Sequence, residues 1–253
     1  MKLTDHLAYS GDRLFRHRGS WPLLLLPLFF LGLLGARLPA VVPPGLRAWQ
    51  MFSVLVALSG LAVRIVAVGT APSGTSERST TSPRASTLRT TGLYSLVRHP
   101  LYFGNTLTAV GLACFTTAWY LPIVVLLAGI LYHERICARE EAFLEERFGD
   151  EFLRWAERVP AMVPRLSAYV PSSKRLVWRK VLGREFHGLM VIGATVFVLD
   201  VARAVIASGH VAFDPLWTGF FAVTTLIFAV STVLKRTTSV FTARHPPASG
   251  SVL

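Results

Sequence analysis

Apolar stretches alternate with polar, mostly basic stretches along this chain. Six apolar stretches stand out, at residues 21–36, 49–68, 101–119, 123–132, 187–206 and 216–234. Stretches approaching about 20 apolar residues are typical of membrane-spanning helices. The aromatic corner at Trp119 and Tyr120, followed by Pro122, predicts that the third and fourth stretches form a helical hairpin. The pattern therefore predicts an all-α integral membrane protein with about six transmembrane helices.

The polar stretches divide the chain into four predicted parts. Residues 1–68 hold the first two transmembrane helices, 69–90 a flexible Ser/Thr-rich cytoplasmic loop, 91–170 a core with the hairpin and an amphipathic segment, and 171–253 a last helical pair and a tail. The amphipathic segment carries Leu144, Phe148, Phe152 and Trp155 at helical spacing among charges, with Gly149 as a predicted break. Its apolar face suits either the bilayer surface or other parts of the protein, and both alternatives stay open.

Composition supports the membrane assignment. The chain has 253 residues, of which 52% are hydrophobic and 16% charged, with 26 Lys and Arg against 14 Asp and Glu. Basic residues concentrate in the segment 1–20, in 70–97, in 132–185 and after 234, whereas 207–215 has none, so the positive-inside rule places both termini in the cytoplasm. Because no basic stripe interleaved with aromatics occurs, we expect no nucleic-acid partner.

The two cysteines and one intramembrane arginine have simple interpretations. Cys114 and Cys137 lack the spacing of metal ligands, and we expect core thiols and no metal site. Arg64 lies near the end of the second apolar stretch, where we expect its side chain to snorkel toward water, with a functional role as the alternative.

Candidate chemistry begins immediately before the third apolar stretch. Pro100 suits the first turn of a helix, whose free N–H groups can meet an anion. Arg98, His99 and Tyr102 are spaced to converge on that helix start, and Gly104 permits close approach of a ligand or another helix. The hairpin returns the chain to the same side, so these groups and Glu140 should share a membrane face, which is the cytoplasmic one.

Two adjacent carboxylates, Glu140 and Glu141, follow the hairpin. Carboxylates beside a bilayer are costly unless paired or used, and pairing with Arg135 and Arg139 is the alternative to a ligand role. The tripeptide Arg-His-Pro recurs in the tail at residues 244–246 without the Tyr and Gly that follow Pro100, so only the extended pattern is informative.

The extended pattern resembles the isoprenylcysteine carboxyl methyltransferase family and its bacterial membrane relatives, kin to the phospholipid N-methyltransferases. Its two elements are matched here in order and spacing by Thr90, Gly92, Tyr94, Arg98, His99, Pro100, Tyr102 and Gly104, then by Glu140, Glu141, Leu144, Phe148, Gly149, Arg158, Val159, Pro160 and Pro164. The chain departs from the family at Leu93, Phe152 and Trp155, and in the extra helical pair that begins near His187.

The resemblance implies S-adenosylmethionine as cofactor, in a pocket at the cytoplasmic face. Its carboxylate would suit Arg98 and His99, its ribose or amino group Glu140 or Glu141, and its adenine or sulfonium Tyr94 or Tyr102. The resemblance also implies Gly104 and Pro160 as cofactor-binding residues. Arg158 or Arg139 could hold an anionic acceptor, and His99 or a glutamate could act as base for an amine acceptor.

The function that these expectations favour is transfer of a methyl group to a lipid-embedded carboxylate, phosphate or amine. The acceptor and the oligomeric state stay open. One alternative is an NADPH-dependent sterol-type reductase, a family with a related pattern in which Leu101 and Asn105 occupy an Asn and a Glu position. The other is a membrane scaffold or small transporter whose motif charges are structural.

Overall fold

A computed structural model describes residues 14, 21–36, 39, 41–71 and 86–238. Within these residues the chain is built of α-helices, and no β-strand occurs. The helices are α1 (Trp21–Gly35), α2 (Pro44–Gly69), α3 (Pro100–Phe115), α4 (Leu121–Phe148), α5 (Asp150–Ala156), α6 (Trp178–Arg184), α7 (Phe186–Ser208) and α8 (Pro215–Thr237). The prediction of an all-α protein is confirmed.

Each of the six predicted apolar stretches forms a helix, but the helices differ in length. Four have the length and apolarity to cross a membrane, namely α2 with 26 residues, α4 with 28, and α7 and α8 with 23 each. The other two, α1 and α3, have 15 and 16 residues and are shorter than the roughly 20 that a bilayer core requires. An integral membrane protein with four candidate spans follows.

Proline and glycine set several helix boundaries. Pro44 and Pro100 each occupy the first turn of a helix, as the missing N–H of proline allows, so α3 begins where the sequence predicts. The helix α4 continues through the charged residues after the predicted stretch 123–132 and ends only at Phe148. Gly149 follows with φ +51°, a conformation that favours glycine, and it provides the predicted break.

The helices α2 and α3 pack in close antiparallel contact through small residues. A Cβ atom on Gly60 would lie 2.5 Å from the carbonyl oxygen of Gly104, and one on Gly111 would lie 2.4 Å from the amide nitrogen of Ala57. Small residues allow this close backbone approach between apolar helices. The antiparallel order places the end of α2 beside the start of α3, where the candidate site lies.

Arg64 corrects one expectation, because its side chain is held by protein partners rather than directed into water. Its Nε and Nη2 donate to the two carboxylate oxygens of Glu185 over 2.8 and 2.9 Å, and its Nη1 donates to Asn105 over 2.6 Å. Glu185 immediately precedes α7 and its side chain is 4% exposed. No local sequence pattern points to this partner, which lies 121 residues away.

At the opposite end of α2 a second ion pair holds the last helix. Arg47 pairs with Asp214, whose side chain also caps α8 by accepting a hydrogen bond from the backbone N–H of Leu216 over 3.0 Å. Burial raises the pKa of Asp214, but the bonds from Arg47 and the charge of its guanidinium outweigh it and leave that pKa below its ordinary value. The C-terminal helical pair is therefore joined to α2 at both ends.

The amphipathic segment packs on protein, which decides between the two alternatives for its apolar face. Phe152, Trp155 and Val159 are buried in a small core against Leu88 and Tyr94. This core connects α5 to the segment that leads into the candidate site.

Several sequence expectations concern residues outside the described ranges. These are the basic N-terminal segment apart from Leu14, residues 72–85 of the loop predicted to be flexible, and the Arg-His-Pro repeat at 244–246. The division of the chain into four parts stays a prediction.

Candidate active site

The candidate site lies where the start of α3 meets the polar part of α4. Arg98 and His99 immediately precede Pro100, and Tyr102 lies in the first turn of α3. Glu140 and Glu141 lie on α4, which continues through this polar stretch as a regular helix. The hairpin brings the two sequence elements together at one end of the helices, as the sequence predicts.

Five predicted site residues form one hydrogen-bonded group, called the motif cluster below: Arg98, His99, Tyr102, Glu140 and Glu141. Arg98 Nη1 donates to Glu141 Oε2 over 2.7 Å, and His99 Nε2 lies 2.8 Å from Glu141 Oε1. The other ring nitrogen, Nδ1, lies 3.4 Å from Glu140 Oε2. The Tyr102 hydroxyl donates to Glu140 Oε1 over 2.6 Å. Both glutamates therefore pair with α3-side partners that lie about forty positions earlier in the chain.

His99 is the centre of the motif cluster and is 7% exposed. Burial by itself lowers the pKa of His99, but Cys137, Glu140 and Glu141 outweigh it and raise that pKa well above its ordinary value. A neutral imidazole can donate from only one ring nitrogen, whereas here both nitrogens face carboxylate oxygens. The contacts with both carboxylates and the raised pKa favour the imidazolium form of His99.

A second layer of residues fixes Tyr102. Its ring stacks on His133 at a centroid separation of 5.0 Å, and His133 Nδ1 lies 3.0 Å from the hydroxyl of Thr106. His133 is 2% exposed and lies inside α4. Neither His133 nor Thr106 is among the predicted site residues, although a polar residue at a matching depth in each helix of a hairpin is a signal for such a pair.

The segment after α5 crosses the candidate site by backbone hydrogen bonds. The N–H of Arg98 donates to the carbonyl of Pro160 over 2.9 Å, and the N–H of Arg165 donates to the carbonyl of Leu96 over 2.9 Å. Gly92, at φ +65°, donates to the carbonyl of Val170 over 2.8 Å. Pro160 thus touches the motif cluster through its backbone.

Two buried donors near this segment have no hydrogen-bond partner among the described residues, Arg98 Nε and Trp155 Nε1. A buried donor without an acceptor costs about 1–3 kcal/mol, so such atoms call for an explanation. Arg98 satisfies Glu141 with one guanidinium nitrogen and keeps Nε available. A ligand oxygen would satisfy it.

The other predicted site residues lie outside the motif cluster. Tyr94 accepts a hydrogen bond from Arg89 over 3.1 Å and lines a neighbouring cavity. Gly104 faces α2, so the close approach it permits is that of a helix. Arg158 is exposed and donates to the carbonyl of Arg154 over 3.1 Å, while Arg139 is half-buried on α4. Their assignment to a cofactor or acceptor stays a prediction.

Metal ligands are not grouped in the part of the chain that the structure describes. There, no three or more His, Cys, Asp and Glu side chains are placed to hold a metal ion.

Comparison with known proteins supports the motif resemblance. The phospholipid methyltransferase family model matches residues 49–151, a range that contains the whole motif cluster. The match bears out the family resemblance over these 103 of the 253 residues and supports a membrane methyltransferase. No solved structure matches the chain.

Two curated relatives share part of their sequence with this chain. It is 43% identical over 83 residues, 33% of its length, to the cobalt-zinc-cadmium resistance protein CzcN of Cupriavidus metallidurans. It is 41% identical over 125 residues, 49% of its length, to the nickel-cobalt-cadmium resistance protein NccN of Alcaligenes xylosoxydans xylosoxydans. The aligned segments span 38% and 58% of these relatives' own lengths.

Proposed function

We propose that this chain, whose residues 49–151 match the phospholipid methyltransferase family, is an S-adenosylmethionine-dependent membrane methyltransferase. The observation that carries the proposal is the motif cluster, in which an arginine, a histidine and a tyrosine at the start of α3 bind two adjacent carboxylates of α4. Such a set of charges is costly beside a bilayer unless it has a ligand or catalytic role. The acceptor would be a lipid-embedded carboxylate, phosphate or amine.

The residues present suit the cofactor. S-adenosylmethionine carries one carboxylate and two positive groups, the amino group and the sulfonium. Arg98 Nε is a buried donor without a partner and suits the carboxylate, together with the first turn of α3. Glu140 and Glu141 suit the amino group or the ribose hydroxyls, and the Tyr102 ring offers a face to a cation. When bound, the cofactor supplies an electrophilic methyl group on sulfur.

The chain's own residues would act mainly by positioning. An in-line displacement requires that donor and acceptor be held in one geometry, and well-oriented reactions gain about 7–11 kcal/mol from this effect. His99 contacts both glutamates and thereby fixes the spacing of their carboxylates. His133 and Thr106 fix Tyr102 in turn.

The protonation of His99 bears on the class of acceptor. A carboxylate or phosphate is already an anion at neutral pH and needs no base, and Arg139 or Arg158 could hold it. An amine acceptor must lose a proton, and an imidazolium cannot accept one. For an amine, the base would therefore have to be Glu140 or Glu141.

The exposed apolar side chains and the basic segments bear on where the protein lies in the cell. The helices α4 and α8 carry large exposed apolar side chains, which suit contact with lipid tails. The basic segments on the side of the motif cluster would face the cytoplasm by the positive-inside rule, and the site with them.

Binding of radiolabelled S-adenosylmethionine to the purified protein tests the proposal. Loss of a charge-assisted hydrogen bond costs about 1.5–3 kcal/mol, so Glu141→Gln and His99→Ala should weaken binding by about 10- to 100-fold. Glu145→Gln, on an exposed position of the same helix, and His210→Ala, in the loop before α8, are matched controls and should bind normally. Equal binding by all four variants would contradict the site, and binding of NADPH instead would favour the reductase alternative.

A further inference from the structure

A cavity of about 330 Å³ lies beside the candidate site. Its walls come from three segments: Thr70 and Ala71 directly after α2, the segment 87–94, and residues 172–174. Because the end of α2 lies next to the start of α3, the cavity opens at the same end of the helices as the motif cluster. This volume is near the lower limit for a small-molecule site and suits a head group.

The lining of the cavity is rich in hydrogen-bond donors and has a positive charge. Seven of its eleven lining residues carry a hydroxyl group, two are the cations Arg89 and Lys174, and none is acidic. Hydroxyl and guanidinium groups donate to oxyanions, and a carboxylate in the wall would repel one. The chemistry of the wall therefore selects an anion with several oxygen atoms.

Arg89 is held at this wall by Tyr94. Its Nη1 donates to the Tyr94 hydroxyl over 3.1 Å, and its guanidinium lies over the same ring at 5.3 Å from the centroid. A guanidinium has a fixed fork geometry that matches two oxygens of a phosphate. Arg89 is thus oriented before any ligand arrives.

A third cation adds to the positive potential. Lys180 donates to the carbonyl of Ala71, a wall residue, over 2.7 Å. Burial lowers the pKa of Lys180, and the charges of Arg184 and Arg89 lower it further. Lys180 thus adds a third positive charge beside the wall of the cavity.

We propose that this cavity binds a phosphate group, carried by a lipid head group or free in solution, between Arg89, Lys174 and the hydroxyl groups of Thr90 and Ser172. None of the five motif-cluster residues lines this cavity, although Tyr94, which the resemblance implies for the cofactor, does. Its wall at residues 172–174 lies outside the range that matches the family model. The proposal goes beyond methyl transfer and does not depend on it.

Titration calorimetry on the full chain in a phosphate-free maltoside detergent tests the proposal. The probes are inorganic phosphate, dihexanoyl phosphatidic acid and, as a ligand without phosphate, dihexanoylglycerol. We expect the phosphatidic acid to bind and dihexanoylglycerol not to bind. Equal affinity for inorganic phosphate would identify a free phosphate as the source, and a clear preference for the lipid would identify a head group.

Variants distinguish this site from general attraction to a basic protein. Arg89→Gln and Lys174→Gln should each weaken phosphate binding by about tenfold or more, as loss of a charged hydrogen bond predicts. Arg179→Gln removes the same charge at an exposed position of α6 outside the cavity and should bind normally. Because Lys174 is exposed, the Lys174→Gln protein should fold even if the Arg89→Gln protein does not. The Lys174→Gln protein should also bind S-adenosylmethionine with normal affinity. Equal weakening by Arg179→Gln, or no binding of either phosphate probe, would overturn the proposal.

Discussion

Arg64 and Glu185, 121 residues apart in the chain, are joined by two hydrogen bonds between one guanidinium and one carboxylate. A third bond connects Arg64 to Asn105, one turn after the motif residue Tyr102. The pair therefore links α2, the start of α3 and the start of α7 at the end of the bundle that carries the motif cluster. The extra helical pair that sets this chain apart from the shortest members of the family it resembles is thereby tied to the candidate site.

Breaking this pair from one side should destabilise the fold. Arg64→Met leaves the carboxylate of Glu185 buried and without its cation, and we expect a loss of about 3 kcal/mol in the free energy of unfolding. Unfolding in mixed detergent, followed by circular dichroism, measures it. Arg64→Lys should lower the free energy of unfolding by less. The double variant Arg64→Met with Glu185→Gln should be more stable than Arg64→Met alone. A double variant as unstable as Arg64→Met, or more so, would show that the charge of Glu185 is not the cause.

The close contact between α2 and α3 predicts opposite effects for two Gly→Ala changes. In Gly60→Ala the new methyl group would lie 2.5 Å from the carbonyl oxygen of Gly104 and 2.6 Å from the backbone nitrogen of Thr108, so the helices must separate. We expect a loss of about 2 kcal/mol in the same unfolding assay. Gly219→Ala, on α8 with nothing within 4 Å of the new atom, should be neutral or stabilising by up to about 1 kcal/mol. Comparable losses for both variants would contradict the packing described here.

The motif cluster predicts a loss of stability at alkaline pH. Because the pKa of His99 in the folded protein lies above its ordinary value of about 6.5, protonation of His99 stabilises the fold. This contribution is complete below about pH 6.5 and is lost as the pH rises through the folded-state pKa. His99→Gln should remove that part of the pH dependence, which the unfolding temperature between about pH 6 and pH 10 measures. An unchanged pH profile in the variant would mean that His99 is not charged in the folded state.

Removal of the Tyr102 hydroxyl should affect the cofactor more than the fold. Tyr102→Phe keeps the ring stacked on His133 but removes the donor that lies 2.6 Å from Glu140. One such bond contributes about 1 kcal/mol, so affinity for S-adenosylmethionine should fall by about fivefold. The matched change Tyr132→Phe, on α4, should leave the affinity unchanged. A normal affinity in Tyr102→Phe would remove Tyr102 from the proposed cofactor site.

The sequence predicts those features whose causes are local. Pro100 starts α3 because proline fits a first turn, and Gly149 ends α4 because its φ is positive. The corner before Pro122 sets the hairpin, and the hairpin then brings His99 and Glu141 to one end. The prediction that His99 and Glu141 lie at the same end requires only that two adjacent helices run in opposite directions.

Contacts between distant segments could not be predicted in this way. The partner of Arg64 depends on where α7 begins relative to α2, which no local pattern encodes. The same holds for the backbone bond between Gly92 and Val170, and for the cavity that residues 172–174 help to close. The charged continuation of α4, by contrast, has a local signal. Leu144 and Phe148 recur at helical spacing before the break at Gly149, and Arg and Glu are good helix formers.

Methyl transfer to lipid is the activity that the motif cluster is proposed to catalyse, and it can be measured directly. Membranes containing equal amounts of the wild-type chain, Glu141→Gln or Glu145→Gln are incubated with S-adenosylmethionine labelled in the methyl group, and label in the extracted lipid is counted. We predict labelling by the wild type and Glu145→Gln and a loss of about tenfold or more in Glu141→Gln, with base-labile label for an ester and base-stable label for an amine. Lipid labelling that is equal in all three, or absent from the wild type, would contradict the account.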